Sequence, residues 1–358
     1  MEFIIQNALQ NNEDAVNQST IGQANIRVIG VGGGGSNAVS WLYKKGIQGA
    51  EVVAMNTDKQ HLDMTSADKK ILIGKDLTRG LGAGGFAKVG MESAKEAGSE
   101  IKEVLKGTDM VFICAGMGGG TGTGAAPVVA QIAKDEGAIV IGSVTTPFAI
   151  ERARVDKAEF GLQQLRQICD TTIVIDNNKL VEIAGNLPVN QAFAVANELI
   201  ATMIKGIVEI IAVPSLVNLD YADVKAIMRG GGVSVVGVGE ADTERKVEEA
   251  TRRALTNPLL EVSYKGATGA LIHVSGGEEM TLDNINKVGE LVTESLDVDA
   301  NCIWGARVDA DMGGKIRVMA IITGVQSPYV LGKPLNVGQA GAQRNAQMGS
   351  ELGIDMVR

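Results

Sequence analysis

The chain has 358 residues, of which 45% are hydrophobic, 21% are charged, 46 are glycine and only 7 are proline. That length predicts two domains with ample core material, and scarce proline without a three-residue glycine period excludes a collagen-like or Pro/Gly-rich disordered chain. A formal net charge of −9 excludes a whole-chain cationic footprint for nucleic acid, and 3% aromatic residues leave few rings for stacking single strands.

Residues 1–24 open with MEFIIQNALQNNEDAV, which lacks the basic flank and long apolar core of a signal peptide. We read the segment as a polar extension, helical over 2–10. NIRVI then predicts a strand, and SNAVSWLYKKG a helix with Ala38, Trp41 and Leu42 at helical spacing. Between them, GVGGGG at 30–35 satisfies G-x-G-x-x-G through Gly30, Gly32 and Gly35. Strand, glycine turn and helix aim backbone N–H groups at a phosphate, although a tight packing turn has the same pattern. AEVVAMNTD is the next strand and ends in Asn56, Thr57 and Asp58. An acidic residue at the carboxyl end of a strand suits a ribose, so this stretch alone admits an NAD-type dinucleotide fold.

KKILIG follows as a strand and GLGAGG at 80–85 as a second glycine cluster. The buried-looking strand TDMVFICAG runs into GMGGGTGTG at 116–124, with the next helix expected to start near Thr123 or Gly124. Two nests on neighbouring strand ends, the second with hydroxyls at Thr121 and Thr123, suit a chain of phosphates better than one pyrophosphate. The 80–85 loop would close over the terminal phosphate. G-x-x-x-x-G-K-[ST] is absent, so neutral backbone rather than a Walker lysine would hold the anion. AIVIGSVT and TTIVID add two more strands, and residues 25–187 read as a mostly parallel, three-layer α/β domain.

Residues 188–213 carry Phe193, Ala196, Ile200, Ile204, Ile207 and Ile211 on one broad helical face, which predicts a buried spine between two domains. Lys205, Glu209 and Pro214 interrupt the most apolar stretch, so no bilayer-spanning segment is expected. A loop and short helix occupy 214–231, where NLDYADVKAIM places Asn218, Asp220 and Asp223 close together. Asp220 or Asn218 at a helix start fits simple capping, and carboxylates so spaced also fit the polarising of a water for attack on phosphorus. Residues 232–325 alternate strands with amphipathic helices as a small α+β domain, its fourth glycine cluster at 230–239 serving the fold. Residues 326–358 are expected to form a loose tail. Cys114, Cys169 and Cys302 have no metal spacing, and His61 and His273 are too few for a histidine metal site.

These motifs together resemble one family. GVGGGGSNAV (30–39), NTDKQHL (56–62), RGLGAGG (79–85), GGGTGTGAAP (118–127), TTPFAIE (145–151), NNKL (177–180), QAFAVANELI (191–200) and NLDYADVKAIM (218–228) are similar to FtsZ, the tubulin-like GTPases of prokaryotic cell division, and most of all to its archaeal members. The resemblance covers residues 25–327. It implies a GTPase domain joined by a long central helix to a smaller α+β domain, with subunits polymerising head to tail in the cytoplasm at the mid-cell division site. GTP or GDP would be the ligand, with Mg²⁺ held mainly through its phosphates. Membrane-anchor and division proteins would be further partners.

Carried over residue by residue, the resemblance gives Gly33, Gly34, Gly35, Gly119, Gly120, Thr121, Gly122, Thr123 and Gly124 to the phosphates. Ala83, Gly84 and Gly85 go to the γ-phosphate side, Glu151 to ribose, and Phe193 to stacking on guanine. Asn37 and Asn197 would read the base edge, with Asn56 and Asn177 also at the nucleotide. Asn218, Asp220 and Asp223 would act in trans on a neighbour's GTP. Three departures stand out. Val155 occupies the place of a usual bacterial arginine, with Arg154 the nearest substitute. Asp176 precedes Asn177 where the family has proline. A terminal peptide for membrane tethers is not recognisable. The alternative is a structural or regulatory filament protein that binds GTP and hydrolyses it weakly. An NAD-dependent oxidoreductase stands further off, for want of a proton-relay histidine or a substrate arginine.

Overall fold

Six strands of the amino-terminal half lie parallel: β1 (Ile26–Val31), β2 (Ala50–Asn56), β3 (Lys69–Leu72), β4 (Met110–Gly116), β5 (Ile139–Thr146) and β6 (Thr171–Asp176), in the order β3-β2-β1-β4-β5-β6. The structure is a computed structural model that describes residues 24–325 apart from 214, 218, 230, 231, 257–263, 265, 266, 295 and 298. The expected helix over 2–10, the tail over 326–358 and Asn218 therefore lie outside the described residues. Helices follow as α1 (Gly32–Lys45), α2 (Lys59–Met64), α3 (Lys75–Thr78), α4 (Ala87–Glu96), α5 (Gly98–Leu105), α6 (Gly120–Asp135), α7 (Ala153–Ile168), α8 (Asn177–Ala184), α9 (Val189–Ala212), α10 (Tyr221–Met228), α11 (Lys246–Leu255) and α12 (Leu282–Thr293).

A parallel sheet is covered on both faces, so its strands are continuous apolar runs rather than alternating ones. Strand β4 shows why. Met110, Phe112 and Cys114 point into one core with α1 and α9, while Val111, Ile113 and Ala115 point into the other with α4, α5, α6 and α7. The result is a three-layer α/β domain.

The carboxyl-terminal sheet contains β7 (Gly232–Ala241), β8 (Gly269–Gly276), β9 (Asn301–Val308) and β10 (Ile316–Thr323), in the order β7-β10-β8-β9. Strand β10 is antiparallel to β7 and β8, and β8 is parallel to β9. The two sheets are joined: Thr171 and Thr172 of β6 pair with residues 232 and 233 at the start of β7. The long helix α9 lies across this joint. Its Ala196, Ile200, Ile204 and Ile207 are buried as the spacing predicted, and a Cβ on Gly206 would lie 1.8 Å from the Met319 methyl of β10. Ile211 is only partly buried, and Phe193 is 44% exposed because the first turns of α9 overhang a cavity.

Two helix starts differ from expectation. Helix α6 begins at Gly120 rather than at Thr123 or Gly124, and α1 begins at Gly32, so Gly32–Gly35 and Gly120, Gly122 and Gly124 lie in first helical turns while Gly118 and Gly119 form the turn before α6. Close packing explains the residue type. A Cβ on Gly35 would lie 2.1 Å from the Cys114 carbonyl, and one on Gly124 would lie 1.8 Å from the Ala87 carbonyl. Backbone that near leaves room for hydrogen alone, and this contact offsets the ~1 kcal/mol that glycine costs in a helix.

Candidate functional site

Strands β1 and β4 are neighbours from which the chain departs in opposite directions across the sheet. Such a switch point opens a crevice at the carboxyl ends of the strands. A cavity of about 540 Å³ sits there, between the starts of α1 and α6 and the first turns of α9. Gly33 and Gly34 line it from α1, and Gly119, Gly120, Thr121 and Gly122 from the start of α6. The two helix starts nearly touch: a Cβ on Gly32, whose φ is +72°, would meet the Gly122 nitrogen at 2.7 Å.

Neither helix has a capping side chain, and neither has an acidic residue in its first turn. The first N–H groups of a helix have no partner within it. Two uncapped starts therefore turn free donors and the positive ends of two helix dipoles toward one space, which is the requirement for a polyanion. Beyond Gly119 there is open space within 4 Å of where a Cβ would stand. The cradle is empty of protein atoms where phosphate would sit.

The other end of the cavity is suited to a ring and a sugar. Phe193 meets Phe148 edge to face, with centroids 5.8 Å apart at 73°. Asn37, Asn177 and Asn197 supply amides to the lining. Glu151 and Arg154 also line it and form an ion pair at 2.6 Å, and the other Glu151 oxygen accepts from the Phe148 N–H at 3.1 Å. Val155 is partly exposed and is not among the lining residues, so Arg154 is the arginine this cavity has. Cys114 forms part of the wall, and burial pushes its thiol up to about 12, so it stays neutral.

Several expected ligand contacts are placed differently. Gly35 and Gly124 face protein backbone, as described above. Thr123 is buried and is not among the lining residues; its hydroxyl accepts from the Gly118 N–H at 2.8 Å, which holds the loop before α6. Asn56 is 2% exposed and stands behind the wall, bonded to His61. Ala83, Gly84 and Gly85 do not line the cavity but pack on the α6 start, where a Cβ on Gly120 would lie 2.8 Å from the Ala83 methyl. Thr121 does line it and shares a 2.7 Å bond with the Thr57 hydroxyl.

Residues at the carboxyl end of β5 were missed. Ser143, Thr145, Thr146 and Pro147 all line the cavity, and the buried Ser143 hydroxyl has no protein partner. The signal was available, because the run SVTTP ends a strand beside the glycine nest and strand ends are where such sheets bind.

The acidic loop is elsewhere. Asp220 caps α10, its side chain accepting from the Asp223 N–H at 2.8 Å. Tyr221 donates to the Asp109 carbonyl at 2.7 Å, just before β4 begins. The cavity opens at the other end of β4, where Cys114, Ala115 and Gly116 line it, and a strand rises about 3.3 Å per residue. The Tyr221 anchor and the cavity are therefore roughly 15–25 Å apart along β4, at opposite ends of that strand. Val217 fixes the loop from its other side by an antiparallel bridge to Ala306 of β9.

The Tubulin/FtsZ family GTPase-domain model matches residues 25–185, and the FtsZ carboxyl-terminal domain model matches residues 232–326. The chain is 58% identical over 315 residues to cell division protein FtsZ 2 of Methanocaldococcus jannaschii, covering 87% of this chain and 83% of that one. It is 52% identical over 339 residues to FtsZ 2 of Halobacterium salinarum, covering 93% and 86%. A solved FtsZ dimer from M. jannaschii superposes with a TM-score of 0.79 at 48% identity, covering 90% of this chain and 92% of that one.

Proposed function

The chain belongs to the Tubulin/FtsZ family, and from that membership we propose a self-assembling GTPase that hydrolyses GTP where one copy meets the next in a head-to-tail protofilament. The observation that carries the shared site is the separation of the cavity from the acidic loop by the length of β4. A loop that far away cannot serve its own cavity, but stacking copies along that axis sets it over the cavity of the next. Such a contact is heterologous and open, so it extends into a filament.

GTP fits the cavity in one orientation. The triphosphate takes the uncapped helix starts at Gly33, Gly34 and Gly119–Gly122, with Ala83–Gly85 beside its terminal end. Glu151, kept in place by Arg154 and the Phe148 N–H, faces the ribose. Phe193 stacks on the base while Asn37 and Asn197 meet its edge. In the neighbouring copy, Asp220 and Asp223, with Asn218, hold a water in line with the terminal phosphorus and draw off its proton as the oxygen attacks, giving GDP and phosphate. Among the described residues the only carboxylate lining the cavity is Glu151, already paired with Arg154, so Mg²⁺ would be held by the phosphates. Bound there, it neutralises charge developing on the phosphoryl oxygens.

Both relatives carry cell-division names. We place this chain in the same work, inside the cell at the division site, with anchor proteins supplying membrane attachment. Among the described residues no helix is long and apolar enough to cross a membrane. The test is GTP turnover per subunit across protein concentration with Mg²⁺ present. Turnover per subunit is expected to rise steeply once filaments form; a constant value down to the monomer range would overturn the shared site. Filaments with negligible turnover would instead identify a structural protein.

A further inference from the structure

His61 lies outside the cavity lining, yet it sits between two amides, one of which reaches the ligand. Its Nδ1 is 3.2 Å from Asn56 Nδ2, and its Nε2 is 3.2 Å from Asn37 Oδ1. Its ring also stands beside one glycine of the nest: a Cβ on Gly33 would find only His61 Cε1, at 4.0 Å. The backbone of His61 is fixed as well, because its N–H donates to Asp58, the cap of α2.

The polarity of this chain of bonds is set at one end. The Asp58 N–H is a backbone group and can only donate, and its partner is Asn56 Oδ1 at 3.3 Å. Turning the Asn56 amide over would set donor against donor, so Nδ2 must face the imidazole. Nδ1 of His61 then accepts, which places the ring proton on Nε2. That proton goes to Asn37 Oδ1. The amide nitrogen of Asn37, with no protein partner among the described residues, is left to the cavity.

We propose that His61 is a positioning residue for base recognition: through Asn56 and Asn37 it fixes a hydrogen-bond donor at the base end of the cavity. This rests on the nucleotide-site reading above. An Asn amide free to rotate presents donor or acceptor with little preference. Held by His61, Asn37 presents its NH₂, which suits a purine with an oxygen at position 6 and opposes one with an amino group there.

Binding of GDP, IDP and ADP below the assembly concentration tests this, using the wild type, His61→Ala, His61→Gln, Asn37→Ala and the double variant His61→Ala/Asn37→Ala. IDP keeps the 6-oxo group and lacks the 2-amino group, so it isolates the edge in question. His61→Ala is expected to lower affinity for GDP and IDP by about three- to tenfold, the worth of one hydrogen bond, with a smaller change for ADP. His61→Gln, which has an acceptor and a donor on one side chain, should recover most of the loss. In the Asn37→Ala background, removing His61 should change nothing further.

A His61→Ala protein with wild-type affinities would overturn the proposal, as would an equal loss for all three nucleotides. A His61 effect that persists without Asn37 would also overturn it. If the wild type binds no GDP, the nucleotide site itself falls and this inference with it. If the wild type binds GDP and only the His61 series is flat, the site stands and this inference alone fails.

Discussion

One substitution can separate the cap that Asp220 forms from the catalytic role proposed for it. Asp220 caps α10 with its side chain, and its charge faces outward where a neighbour's phosphate would arrive. Asparagine is as good a cap as aspartate, whereas alanine gives up about 1 kcal/mol at that position. Asp220→Asn should therefore keep the thermal midpoint and still lower GTP turnover in formed filaments by tenfold or more, on the scale of general base catalysis. Unchanged turnover with filaments intact would reduce Asp220 to a cap. Phe193 is the matching case on the cavity side. A half-exposed ring with one aromatic neighbour holds little core, so Phe193→Leu should weaken GDP binding several-fold while leaving unfolding by denaturant nearly unmoved. Both residues stand out in the sequence because each breaks its local pattern, a phenylalanine opening an aliphatic helix and acids clustered beside a short one. Asn56 and Thr123, which the resemblance assigns to the nucleotide, are buried and are not among the cavity's lining residues. Residue type and position along the chain do not say which way a side chain turns, and both hydrogen-bond instead to the protein around them.

Among elements, the strand order β3-β2-β1-β4-β5-β6 explains why the first motifs admitted a dinucleotide fold. Dinucleotide domains use the same order and the same switch point. What separates the two is the second uncapped helix start after β4, and GGGTGTG made that visible in the sequence. The joining of both sheets through β6 and β7 was not visible, since two residue pairs of parallel bridging leave no periodicity to read. The glycines at 237 and 239, assigned only to the fold, acquire a physical reason. A Cβ on Gly237 would lie 1.6 Å from the Ala254 carbonyl, and one on Gly239 would lie 1.9 Å from the Ala250 carbonyl, so α11 rests directly on β7. Gly237→Ala must push that helix away. Overpacking of this kind costs about 1–3 kcal/mol, so the thermal midpoint should fall by several degrees with GDP affinity unchanged. A midpoint equal to the wild type would contradict this packing. Strand β8 makes a separate prediction. His273 is buried, and desolvation, with Arg307 adding to it, lowers its value to about 4. The folded state thus favours the neutral ring, and stability is full above about 6.5, the unfolded value. It should fall as pH drops from there toward 4, by at most roughly 3 kcal/mol from this group. Denaturant titrations of His273→Gln should show a shallower loss across that window.

At the scale of the whole molecule, the proposed function makes the cavity and the acidic loop two halves of one site, carried at opposite ends of β4. Uncapped helix starts, and no lysine, line the cavity among the described residues, so in the proposed function an anionic chain of net charge −9 would hold an anionic ligand by N–H groups. Salt should therefore weaken GDP binding less than it would weaken a lysine-lined site. Helix α9 connects the two ends: its first turns bear Phe193 and Asn197, and its body packs on β10 of the second sheet. On the proposed function, assembly and hydrolysis depend on the same contact. The most direct measurement mixes two variants that are each inactive, Asp220→Asn/Asp223→Asn with an intact cavity and a cavity variant with an intact loop, and follows phosphate release under conditions where both enter the same filaments. Random mixing in equal amounts sets an intact cavity against an intact loop at about a quarter of the contacts, and turnover should recover toward that fraction. No recovery in filaments shown to contain both variants would contradict a site shared between copies.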